Sequence, residues 1–157
     1  MEMVKLIAMG MALSGFALAS DFSVEIGSPV AAMSTENTAR MKKTGVAFSV
    51  RTKNCADPAA ARFSGTAVWM KGANRESSAL QFIPGTTPGT YVVGTPDRMT
   101  ERWIAVVSAE CAGAKAGALV PVNAAGQYDR ASASMVSHAP TDAEVESMMK
   151  QTKGASQ

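Results

Sequence analysis

The sequence predicts a mainly β protein, an antiparallel β-sandwich followed by a short C-terminal helix. Three observations carry this expectation. Between residues 45 and 108, short runs alternate apolar and polar side chains with the period of two that a half-buried strand requires. Proline and glycine separate those runs. Thr141 and Glu144, three apart, then form a capping pattern ahead of a stretch with helical periodicity.

Taken in order, Phe22, Val24 and Ile26 alternate and predict an opening strand. Residues 28–44 read as a loop or a single helical turn. In 45–51, Val46, Phe48 and Val50 fall on one face, with Ala47, Ser49 and Arg51 on the other. Residues 64–70 set Thr66, Val68 and Met70 against Ala67 and Trp69, and 78–83 offers Leu80 and Phe82 on one face. Pro84-Gly85 and Pro88-Gly89 bracket a tight connection, because proline presets φ and glycine accepts the left-handed backbone. Residues 90–93 present Tyr91 and Val93, and 102–107 sets Trp103, Ala105 and Val107 opposite Ile104 and Val106. Residues 119–122 read as an edge strand, since Pro121 cannot donate to a ladder, and 128–136 as a weak closing strand. Over 141–153 a helix is expected. Val145, Met148 and Met149 share its face, Lys150 and Lys153 suit its C-terminal dipole, and Gly154 ends it.

Composition narrows the function classes. A length of 157 residues fits one domain. With 46% hydrophobic and 18% charged residues, the chain is too apolar for wholesale disorder. A net charge of +2 makes no general case for nucleic acid. One histidine excludes a multi-histidine metal site within one chain, and two cysteines exclude a four-cysteine zinc site. No cofactor is implied.

The first nineteen residues have the layout of a secretory leader. Lys5 precedes an uncharged run, 6–19, that ends in the small-x-small pattern Ala17-Leu18-Ala19. That run is shorter than the ~20 residues a helix needs to cross a bilayer, so a cleaved signal peptide is expected rather than a retained anchor. The expected organisation is a signal peptide at 1–19, a sandwich at 20–139, and a helix and tail at 140–157. The expected location is periplasmic or extracellular, with no membrane span after cleavage. In an oxidising compartment Cys55 and Cys111 are expected to pair, the alternative being two buried thiols. Such a bridge contributes about 4 kcal/mol in the chain-entropy view.

Cys55, Trp69 and Cys111 resemble in order and spacing the Cys…Trp…Cys pattern of immunoglobulin domains. Ala109 stands where the tyrosine corner would place its tyrosine, and Cys55 lies in a turn-like stretch. The resemblance therefore implies an immunoglobulin-like architecture without family membership.

No nucleophile elbow, phosphate loop, zinc-protease helix motif or EF-hand loop is present. Ser147-Met148-Met149-Lys150 and Lys43-Thr44-Gly45 match two penicillin-enzyme motifs, but in reversed order and without the third, and read as chance. His138, near Asp142, is half of an acid–base pair on a hydrolase reading and a connector histidine otherwise. Methionines 33, 41, 70, 99, 135, 148 and 149 are the raw material of a copper carrier, but read first as gap fillers. Arg40, Lys42, Lys43, Arg51 and Lys53 form a basic stretch with no acidic residue from 40 to 56. Together with Tyr91 they are the candidate binding residues, while Trp69 and Trp103 are expected to include at least one core residue. The function expected is an exported, non-catalytic binding or accessory module of the cell envelope or exterior, contacting an acidic protein or an anionic envelope polymer. The alternatives are a small copper carrier or a hydrolase.

Overall fold

The computed structural model describes residues 21–32, 39 and 45–154. In chain order its regular elements are β1 (Ser23–Gly27), β2 (Val46–Lys53), β3 (Arg62–Lys71), β4 (Asn74–Ala79), β5 (Phe82–Pro84), β6 (Thr90–Gly94), β7 (Trp103–Cys111), β8 (Ala114–Val122), β9 (Ser134–Val136) and α1 (Asp142–Gly154), with 3-10 turns at Pro29–Ala32 and Pro58–Ala60. The strands make two antiparallel sheets. The first sheet runs β1-β2-β6-β5 and the second β4-β3-β7-β8-β9. The protein is an antiparallel β-sandwich with a short C-terminal helix.

Side-chain alternation builds the layers. Val24, Ile26, Phe48, Val50 and Val93 of the first sheet share one buried cluster with Ala67, Ala105, Val107, Ala116, Ala118 and Val120 of the second. The alanines on the second sheet leave room for Phe48, which is fully buried. Trp103 belongs to this cluster, and its indole N–H has no hydrogen-bond partner among the described residues. Such an orphaned donor costs about 1–3 kcal/mol. On the outer side of the second sheet, Val68, Ile104 and Leu119 are covered by Val145 and Met148 of α1, with Met149 alongside. On the outer side of the first, Ile83 and Val92 are covered by Ala32 of the first 3-10 turn.

Several expectations needed correction. A register shift between Val46 and Phe48 marks a β-bulge. It reverses the alternation, so Ala47 joins the inter-sheet core while Val46 packs with Ile83 and Val92. The strand expected at 78–83 is two strands in different sheets, Asn74–Ala79 and Phe82–Pro84. The chain crosses at Leu80, whose N–H donates to Gly65 O at 3.0 Å. The polar run of β4 has no period-two apolar signal, and its charged Arg75 and Glu76 suit an edge strand. Nor is β8 an edge, because it pairs with both β7 and β9. Pro121 is tolerated because its backbone points away from β7, where its carbonyl accepts from Asp129 N–H at 2.9 Å. Only 134–136 of the closing strand forms, plus a bridge from Tyr128 to Val122.

The helix is fixed at both ends. Thr141 Oγ1 accepts from the Glu144 N–H at 3.3 Å, while Glu144 Oε2 accepts from the Thr141 N–H at 2.9 Å, completing the capping box. Arg75 of β4 lies 3.6 Å from Asp142, and Arg102 donates to the Thr152 carbonyl at 2.9 Å. Just before the helix, Pro140 sits on Gly117 of β8. A Cβ at residue 117 would stand 2.5 Å from Pro140 Cδ, so this approach requires glycine.

Candidate functional site

On β2, Arg51 and Lys53 are two apart, so both project from the outer face of the first sheet. Glu25 of β1 stands directly opposite Arg51 in the ladder. Arg51 donates through Nε and Nη2 to Glu25 Oε2 at 2.5 Å, and Lys53 Nζ lies 3.6 Å from the other carboxylate oxygen. The Arg51 guanidinium, assisted by Lys53, holds the Glu25 carboxyl below its usual range. Two cations thus flank one carboxylate, and the strip keeps a net positive charge. Arg40, Lys42 and Lys43 lie outside the described residues.

Tyr91 does not belong to this strip. It stands opposite Val50, a core residue, and so faces the inside of the sandwich. There its ring lies 5.2 Å from Phe63 and 6.4 Å from Phe82, an aromatic cluster joining the two sheets. Its edge also lines an open hollow formed by the β5–β6 turn, 84–91, and Ala59. Trp103 is buried in the core.

Cys55 and Cys111 are bonded, with their Cα atoms 6.0 Å apart. The bridge ties the residues just past β2 to the last residue of β7, and so one sheet to the other. Trp69 does not pack on it as the immunoglobulin pattern expects. The register puts Val68 opposite Ile104, leaving Trp69 at the Trp103 end of β7, away from Cys111.

His138 is half exposed and pairs through Nε2 with Glu144 Oε1 at 2.6 Å. Its carboxylate partner is therefore the capping-box glutamate rather than Asp142. Hydrogen bonds from the Thr141 N–H and from His138 hold Glu144 below its usual range. The pair closes the helix start. The methionines separate: Met99 packs against the inter-sheet cluster, Met148 and Met149 face the second sheet from α1, and Met70 and Met135 are exposed. Met33 and Met41 are outside the described residues. Among the described residues no three His, Cys, Asp or Glu side chains gather into a metal site, and no helix is long and apolar enough to cross a membrane.

Sequence reasoning missed a depression of about 410 Å³ on the outer face of the second sheet, lined by Arg62, Ser64, Ser108, Glu110, Lys115 and Ala139 among others. Arg62 of β3, Glu110 of β7 and Lys115 of β8 stand in one cross-strand row, and Ser64 and Ser108 in the next but one. The outward positions of β3 and β7 carry the signal for it, since Ser64, Ser108 and Glu110 interrupt what a helix-covered face would fill with apolar residues. No family model, curated protein or solved structure matches the chain.

Proposed function

We propose that the protein is an exported, non-catalytic binding module that meets an acidic partner through the outer face of its first sheet. The observation that carries this reading is the strip of Arg51 and Lys53 around Glu25. Glu25 fixes the guanidinium in place, so less side-chain entropy is lost when a partner carboxylate arrives. In the sequence, Arg40, Lys42 and Lys43 precede β2 with no acidic residue between them and Arg51, which is why they enter the test below. Export is supported by the leader-like 1–19 and by the Cys55–Cys111 bridge. On this reading, 20–139 is the sandwich and 140–157 the helix and tail.

The test uses poly-L-glutamate as the acidic probe. Replacing Lys42, Lys43 and Arg51 with glutamine should slow association severalfold while leaving the melting temperature within a few degrees. Association that is unchanged, with an unchanged salt dependence, would refute the reading.

A further inference from the structure

We infer a second site, on the opposite side of the sandwich from the Arg51–Lys53 strip: the depression over β3, β7 and β8 binds an acidic polysaccharide, one bearing uronate carboxylates. The row Arg62–Glu110–Lys115 crosses three neighbouring strands. Two strand spacings put the two cations about 10 Å apart at the backbone, with Glu110 between them. All three side chains are exposed, and none makes an ion pair among the described residues. Two residues along the strands from this row the floor carries a pair of hydroxyls, with Ser64 directly opposite Ser108. Ala139 walls one side, held there because Pro140 is seated on Gly117.

Each group selects for this ligand. Arg62 and Lys115 suit two carboxylates carried on one extended chain. The Ser64 and Ser108 hydroxyls both donate and accept, matching the hydroxyls and ring oxygens of a sugar. Glu110 discriminates most. An ionised carboxylate only accepts hydrogen bonds, so it needs donors from the ligand. Sugar rings bring hydroxyl donors along the whole chain. An acidic peptide brings a single backbone N–H for each carboxylate, fewer donors than the free ring hydroxyls that accompany each carboxylate of a uronate chain.

The experiment is titration of the full mature chain with polygalacturonate oligomers, and in parallel with poly-L-glutamate, at 0.15 M salt. Polygalacturonate should bind, and Arg62→Gln with Lys115→Gln should weaken it by about tenfold or more. Glu110→Gln gives the decisive sign. If Glu110 accepts sugar hydroxyls, the replacement weakens polygalacturonate binding about threefold or more. If the face attracts anions by charge alone, removing a negative charge strengthens it. Arg51→Gln with Lys53→Gln should leave polygalacturonate affinity within twofold while impairing poly-L-glutamate binding, which separates this site from the first-sheet strip. The inference is overturned by no polygalacturonate binding, by insensitivity to the Arg62 and Lys115 replacements, or by tighter binding on Glu110→Gln. Thermal melts of each variant confirm folding, which these exposed positions should leave unchanged.

Discussion

Replacing Gly117 with alanine probes how the connector before α1 is seated on the second sheet. The added methyl would stand 2.5 Å from Pro140 Cδ, 2.7 Å from its Cγ and 2.8 Å from the Val107 carbonyl oxygen. A proline ring does not bend away like a flexible side chain, and the carbonyl belongs to the neighbouring strand. Overpacking of this kind costs about 1–3 kcal/mol. Pro140 lies two residues before the helix, so lifting it also strains the capping box and loosens Val145 and Met148 on Val68, Ile104 and Leu119. A net loss of about 2 kcal/mol is expected, or a melting-temperature fall of roughly 4–8 °C for a domain of this size. Urea unfolding of Gly117→Ala, Pro140→Ala and the double variant supplies the assay. Removing the ring relieves the two closest contacts, so the double variant should recover at least about 1 kcal/mol relative to additivity. Strict additivity, or an unaffected Gly117→Ala, would refute the packing argument.

Cys55→Ser with Cys111→Ser should lower unfolding free energy by about 4 kcal/mol in urea titrations, because the bridge closes a separation of 56 residues; a loss below about 1 kcal/mol would contradict that. Ala112 has φ of 49° in the two-residue turn between β7 and β8. A left-handed alanine there costs about 1 kcal/mol, so Ala112→Asn should raise the melting temperature by a few degrees, and a fall would show the turn is unstrained. Glu25 and Glu144 are held below the usual carboxylate range in the fold, by Arg51 and by the Thr141 N–H respectively. Their stabilisation is therefore present above the unfolded value near pH 4.3 and is lost as pH falls through the folded values. Glu144→Gln should flatten the dependence of the urea midpoint on pH below about pH 5, and an unchanged slope would remove that assignment.

The fold was legible where alternation is strong and local. Phe22, Val24 and Ile26, the Trp103–Val107 alternation and the Thr141/Glu144 box all report their structure directly, because one buried face or one cap decides them. Three features were hidden. The bulge at Val46–Phe48 leaves no mark on a period-two pattern that already looks regular. The crossover at Leu80 breaks one apparent strand into two, and only the pairing of Leu80 with Gly65 reveals it. Pro121 looked like an edge marker because sequence does not say which side of a strand its missing N–H faces. The candidate strip was half legible. The sequence places Arg51 and Lys53 on one face, but their partner Glu25 is 26 residues from Arg51 and is brought beside it by strand pairing. Tyr91 was placed with that strip on residue type alone, and the register turns it inward. The Arg62–Glu110–Lys115 row spans three strands, so no local pattern contains it.

A salt titration of association rates decides whether the Arg51–Glu25–Lys53 strip is the contact surface for an acidic partner. Poly-L-glutamate binding would be followed by stopped flow from about 0.05 to 0.5 M salt for the native protein, Glu25→Gln and the Arg51→Gln/Lys53→Gln pair. The strip predicts that Glu25→Gln associates fastest and the paired variant slowest. The three rates should converge at high salt, as the screening length falls to about 4 Å. Rates that do not follow this order at low salt, or differences that persist undiminished at high salt, would contradict it.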